Sequence, residues 1–104
     1  MVALALVVAP ACTRAPDPVE TARAEDRIEC AVRGKAFARE CAIERGKGVL
    51  VLRHRDGGFR RVSVAPDGTL AALDGSEIAT GRALPDGRFE LTLGSDRYRL
   101  PPRR

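Results

Sequence analysis

The chain has no tryptophan, one tyrosine, one histidine and three phenylalanines among its 104 residues. That scarcity excludes a large aromatic core. It also excludes the row of aromatics on which single-stranded nucleic-acid binders stack successive bases. With one histidine and no Cys-x-x-Cys, the ligands of a tetrahedral zinc site are missing. No apolar run is long enough to cross a bilayer as a helix, and there is no coiled-coil heptad or low-complexity tract. Neither serine that could partner the histidine, Ser63 or Ser76, lies in a nucleophile-elbow motif, and no nucleotide-binding motif is present. No cofactor is implied.

What is present begins at the N-terminus. Met1 to Ala11 is an uncharged apolar run that stops at Cys12 and gives way to Pro-rich polar sequence. The run has the length of the h-region of an export signal, and Ala9-Pro10-Ala11 has the small-x-small form of a cleavage site. A cysteine directly after such a site is the residue lipidated in bacterial lipoproteins. The pattern departs from that of lipoproteins at Ala9, where a larger aliphatic residue is usual, at Pro10, and in having no Lys or Arg ahead of the run. The alternative is an apolar first strand of a cytosolic protein, and Pro10, Pro16 and Pro18 oppose it because proline cannot donate to a ladder. The expectation is an exported chain of the bacterial periplasm or envelope membrane, anchored through Cys12. Residues 1–12 would be the signal, 13–26 a disordered tether, 27–101 the folded domain and 102–104 a tail.

Setting Cys12 aside leaves Cys30 and Cys41, and in a short exported chain two cysteines suggest one disulfide; two buried thiols are the alternative. A hairpin of Ile28–Val32 and Phe37–Ile43 closing around Lys35 and Ala36 would set Ile28 opposite Ile43 and Cys30 opposite Cys41. The core must come from Val, Leu, Ile and Ala, and fewer than eighty residues build it. A cross-link therefore matters.

The body carries hairpin signals. Asp-Gly recurs at Asp56-Gly57, Asp67-Gly68, Asp74-Gly75 and Asp86-Gly87, and Gly94-Ser95-Asp96 makes a fifth turn. A two-residue turn at Asp56-Gly57 would pair Val49 with Val64, Val51 with Val62 and Arg53 with Arg60, with His54 opposite Phe59. One at Asp86-Gly87 would set Leu84 opposite Phe89. Phe89, Leu91 and Leu93 alternate with Arg88, Glu90 and Thr92, as Tyr98 and Leu100 do with Arg97 and Arg99. The expected fold is all-β, a single antiparallel meander of seven to eight short strands whose sheet curls into a barrel or small sandwich. Helix competes only at Thr21–Arg27 and Phe37–Arg45. The repeated Pro-Asp-Gly at Pro66 and Pro85 is too sparse for a propeller.

Leu52-Arg53-His54-Arg55-Asp56-Gly57-Gly58-Phe59-Arg60-Arg61-Val62, Ala72-Leu73-Asp74-Gly75-Ser76-Glu77 and Gly94-Ser95-Asp96-Arg97-Tyr98-Arg99-Leu100-Pro101, together with Cys30 and Cys41, resemble a group of small exported proteins and lipoproteins of alpha-proteobacteria. The resemblance implies a compartment. It implies no activity, ligand or catalytic residue.

Charge supplies the functional lead. The chain is formally +4, and residues 13–27 hold three arginines against four acids, so the body is near +5. Sixteen of the eighteen basic residues are arginine, a bias that suits phosphate or carboxylate and that a GC-rich genome also produces. Arg53, His54, Arg55, Arg60 and Arg61 cluster at one hairpin tip and are the anion-binding candidates. Their partners would be anionic envelope lipids or polymers; the alternative is a solvated tip that keeps the hairpin soluble. A single phenylalanine at the tip and the expected export disfavour nucleic acid. Glu40 and Glu44, outward on a strand, suit pairing with Arg39 and Arg45 better than an acid/base role. The expected function is that of a non-enzymatic, lipid-anchored envelope protein whose basic hairpin touches an anionic component. The alternative is an inhibitor or accessory protein that inserts a loop into an envelope enzyme.

Overall fold

A computed structural model describes Ala3 and residues 16–73 and 78–102. The expected signal with Cys12, the turn at Asp74-Gly75 with Ser76, and Arg103 and Arg104 of the tail lie outside the described residues. The fold is all-β. Strands β1 (Arg27–Ala31), β2 (Ala38–Arg45), β3 (Val49–His54), β4 (Phe59–Val64), β5 (Leu70–Ala72), β6 (Ala79–Ala83), β7 (Phe89–Leu93) and β8 (Asp96–Leu100) form one antiparallel sheet. Its order, β5-β4-β3-β2-β1-β8-β7-β6, is an up-and-down meander wrapped so that the first and last strands pair. The result is a barrel closed except between β5 and β6, which approach without a ladder. Exposed Leu73 and Ile78 flank that seam.

Three of the Asp-Gly pairs make the same turn. Across Arg55-Asp56-Gly57, Pro66-Asp67-Gly68 and Pro85-Asp86-Gly87, the residue before the loop donates its N–H to the residue after it: His54 to Gly58 at 2.9 Å, Ala65 to Thr69 at 2.9 Å and Leu84 to Arg88 at 2.7 Å. The glycines have φ of 91°, 95° and 90°, the left-handed region that a side chain disfavours. Each aspartate side chain accepts the N–H two residues on, at 2.8, 2.9 and 3.0 Å. These are three-residue hairpin loops with glycine last, and proline suits the first position of two of them.

The extra loop residue corrects two expected registers. Val49 faces Ser63, Val51 faces Arg61 and Arg53 faces Phe59, while Ala83 rather than Leu84 faces Phe89. A one-residue slip exchanges the faces of a strand. Leu50, Leu52 and Val62 therefore enter the core, and Val49 and Val51 stay half-buried on the outside. The expected alternation of β7 and β8 holds, with Leu91, Leu93, Tyr98 and Leu100 buried. Phe89 packs against this core with its ring over Gly81, where a Cβ would strike it.

Cys30 and Cys41 are joined by a disulfide with Cα atoms 6.0 Å apart. They are not directly opposite, as the hairpin reading had them. Ile28 pairs with Cys41 and Cys30 with Ala38, because a bulge inserts one extra residue in β2 and a 3-10 turn at Val32–Gly34 lengthens the connection. The shift at Ile28 is two residues, so Ile28, Cys41 and Ile43 keep their face; past the bulge the faces exchange, Phe37 lies outside against Arg97 and Arg99, and the bridge closes diagonally.

Residues 16–26, expected to belong to a disordered tether, pack on the barrel. Val19 is fully buried, Asp17 accepts the Val19 N–H at 2.8 Å, and a 3-10 turn at Ala24–Asp26 lies against β2. Ala42, between inward-facing Cys41 and Ile43, points outward and is nonetheless buried. One apolar residue in a polar stretch is enough to dock it where the sheet offers an apolar outer patch.

Replacing both cysteines with alanine is expected to lower the free energy of unfolding by roughly 3 kcal/mol, the loop-closure contribution for a link of this span. Urea denaturation measures it; a loss within experimental error would mean that the bridge does not constrain the unfolded chain.

Candidate functional site at the mouth of the barrel

One end of the barrel is polar inside. On the core face, β3 runs Leu50, Leu52, His54, β4 runs Val62, Arg60, and β8 runs Leu100, Tyr98, Asp96, so each strand finishes its apolar row with a polar residue at the same end. Asp96 is 4 % exposed and fully engaged. Its Oδ1 accepts the Arg33 N–H at 2.8 Å, and its Oδ2 accepts Arg60 Nε at 3.2 Å and Nη2 at 3.1 Å. Arg33, at φ 55° in the 3-10 turn, is held in a left-handed conformation that aims its N–H at this carboxylate.

Tyr98 links Asp96 to His54. Its hydroxyl lies 2.6 Å from His54 Nε2 and 3.5 Å from Asp96 Oδ2, and the two rings stack with centroids 5.8 Å apart. With either histidine tautomer the hydroxyl has a partner on one side or the other. Burial pushes the Tyr98 phenol far above its ordinary range. Burial also lowers the His54 pKa from its ordinary 6.5, against the pull of Asp96 and Asp56 and with the aid of Arg60 and Arg33. This geometry favours a neutral imidazole beside a neutral phenol. No nucleophilic side chain is among the partners of His54 in this network, and Ser63 instead donates to the Ala71 carbonyl at 3.3 Å.

The five anion-binding candidates do not form one patch, because strand alternation divides them. Arg53 and Arg61 project outward and Arg55 stands in the turn, whereas His54 and Arg60 turn into the mouth. Arg53 forms a two-pronged pair with Glu44, at 2.9 and 3.2 Å, and its guanidinium lies 5.4 Å from the centre of the Phe59 ring. Arg60 is spent on Asp96. Arg61 is exposed beside Val51 on β3. Arg55 pairs with Asp17 at 2.8 Å, which pins the N-terminal segment to this end of the barrel. The Val19 amide and Arg55 together hold the Asp17 carboxyl below the usual carboxylate range. The expected Glu44–Arg45 pairing is replaced by Glu44–Arg53, and Arg45 takes Asp26 at 3.1 Å.

What the mouth does gather comes from two loops. Arg33, Lys35 and Glu40 from the β1–β2 side and His54, Arg55 and Asp56 from the β3–β4 side line one cleft of about 180 Å³ over the disulfide. Arg33 and Lys35 escaped the sequence reading because they are remote from the hairpin in sequence. Asp96 was legible in principle: it shares the parity of Tyr98 and Leu100, which places a carboxylate on the core face. Among the described residues no group of three His, Cys, Asp or Glu side chains is arranged to hold a metal ion.

Asp96→Ala, which removes the buried acceptor of Arg60 and of the Arg33 N–H, is expected to cost about 2–3 kcal/mol, read as a fall in melting temperature. Stability that depends on neutral His54 is complete above pH 6.5 and is lost as pH falls through that value, since the unfolded chain then binds the proton more readily. The melting temperature should therefore drop as pH falls below about 6.5, and His54→Gln should flatten that slope. Asp17, Glu29, Asp86 and Glu90 all titrate below their ordinary carboxylate values and so fall outside the window. No protein-family model matches the chain, nor does any curated protein or solved structure.

Proposed function

We propose that this chain is a non-enzymatic protein of the bacterial envelope, exported and lipid-anchored through Cys12, whose barrel mouth contacts an anionic envelope lipid surface. The observation that carries this reading is the Arg55–Asp17 pair, because it ties the segment leading back to Cys12 to the end of the barrel where Arg33 and Lys35 are exposed. Cys12 precedes Asp17 by five residues, a span of at most about 17 Å of extended chain. An acyl group at Cys12 would therefore hold the mouth against the membrane, with its basic loops toward the head groups. Export is supported by the apolar leader and by a disulfide that belongs to an oxidising compartment.

The non-enzymatic reading rests on how the titratable groups are used. The only histidine of the chain is occupied by a buried phenol, and the buried aspartate by an arginine and a backbone amide. Each is a fixed structural contact. The inhibitor reading would instead use the hairpin tip with exposed Phe59 to enter a partner enzyme.

Two measurements test the proposal. Mass analysis of membrane and soluble envelope fractions should find a membrane-bound chain that begins at Cys12, heavier by its acyl groups; a chain beginning at Met1 with free thiols would overturn it. For the unacylated domain on anionic phospholipid vesicles, charge removal at Arg33, Lys35 and Arg55 should weaken binding about 100-fold, at about 1 kcal/mol per basic residue. Binding should also fall steeply with salt. Salt-insensitive binding to an envelope enzyme, lost on Phe59→Ala, would favour the inhibitor reading.

A further inference from the structure

On the outer wall of the barrel, four arginines from separate parts of the chain converge. Arg27 opens β1, Arg39 lies in the bulged part of β2, Arg88 follows the β6–β7 turn and Arg99 stands near the end of β8. With Glu25 and Glu29 they line a cleft of about 200 Å³, room for a solute of several heavy atoms. Four guanidinium groups meet three carboxylates, Glu25, Glu29 and the Asp86 partner of Arg88, so the cleft keeps a small local excess of positive charge.

The donors there are only partly used. Glu29 takes one N–H from Arg88 and one from Arg99, each at 2.8 Å, and Arg88 Nε goes to Asp86 at 2.6 Å. Arg39 donates to the Ala24 carbonyl. Arg27 donates from Nη2 to the Glu20 carbonyl at 2.7 Å, but its Nε is buried and has no acceptor. Among the described side chains it is the orphan buried donor. A charged donor left dry is costly, so Arg27 is the least satisfied of the four, and its fork of five N–H groups offers further donors to a ligand oxygen in the cleft it lines. The Arg99 guanidinium lies 3.8 Å from the centre of the Phe37 ring, a contact that holds it in the wall of the cleft.

We propose that this cleft binds a small phosphate-type oxyanion taken from solution, with Arg27 and Arg39 as the groups that recognise it and Arg88 and Arg99 as the wall. A planar carboxylate is the poorer match, since Glu29 already fills that role between Arg88 and Arg99. A tetrahedral anion can accept from forks arriving in several directions at once. The lipid-facing surface proposed above is the mouth; this cleft is on the outer wall beside the start of β1 and the end of β8, with Arg39 reaching it from the start of β2. The site is independent of the mouth and can fail or succeed alone.

The test uses the folded, disulfide-intact chain labelled with nitrogen-15, following the arginine Nε–H resonances while inorganic phosphate is added at constant ionic strength. The Arg27 Nε–H signal should move and saturate in the low-millimolar range. Arg27→Gln and Arg39→Gln should each weaken half-saturation about tenfold or more, as expected for loss of a charge-assisted contact. Exposed Arg39 gives a variant whose fold is safe even if Arg27→Gln is destabilised, and Arg33→Gln with Lys35→Gln at the mouth should leave the titration unchanged. A shift that grows without saturating, or one with the same midpoint in Arg39→Gln, would overturn the site. Competition of phosphate with anionic vesicles, abolished by Arg39→Gln, would overturn the solution source and assign the cleft to a lipid phosphate.

Discussion

The carboxylate of Asp96 is the constraint on which the mouth depends. A buried charge persists only if every lone pair that left water is met, and here three elements meet them: the turn after β1 through the Arg33 N–H, β4 through Arg60, and β8 through Tyr98. Tyr98 then carries the connection to His54 on β3. Strands that are not neighbours in the sheet are thereby joined across the lumen. The apolar half of the barrel has no comparable directional bond, because Leu, Ile and Val specify volume more than geometry. The network therefore orients the two loops that carry Arg33, Lys35 and Arg55.

The outer wall solves a different problem with the same residue types. Glu90, outward on β7, is only 5 % exposed because Arg82 and Arg97 lie over it at 2.9 and 3.1 Å. Burial raises its pKa, and the hydrogen bonds from those two arginines outweigh that, so the group stays charged well into acid. Glu29 is held likewise between Arg88 and Arg99, and Phe37 lies against both Arg97 and Arg99. A chain poor in aromatics thus covers its sheet with arginine stems and guanidinium planes, which pack as well as pair. Much of the arginine excess is spent in this way. The more exposed remainder lies in the loops of the mouth, where Arg33 and Arg55 pair with Asp56 and Asp17 at the surface, and in the cleft beside Arg27, and the two proposed contacts follow from that division.

The strands and their faces were legible where alternation was unbroken. In β7 and β8 the apolar rows named the buried side chains directly, and the pairing of Cys30 with Cys41 followed from their number and spacing. Legibility failed where a turn could be closed in two ways. Asp-Gly reads as a two-residue loop, yet in Arg55-Asp56-Gly57 and Pro85-Asp86-Gly87 the preceding residue joins the loop, and one residue is enough to exchange the faces of the strand. That slip is why His54 rather than Arg53 is inside, why Leu50 and Leu52 rather than Val49 and Val51 form the core, and why the run of basic residues at the hairpin tip is not a patch.

Composition and local pattern determined the all-β meander, the reliance on aliphatic residues and a cross-link, and the positive charge, because each depends on residue type and on neighbours a few positions away. Register, the docking of residues 16–26 through Val19, and the convergence of Arg27, Arg39, Arg88 and Arg99 were decided only in three dimensions. Those features depend on which strand lies beside which and on how a buried charge is satisfied, and both are settled by contacts between residues as far apart in sequence as Arg33 and Asp96.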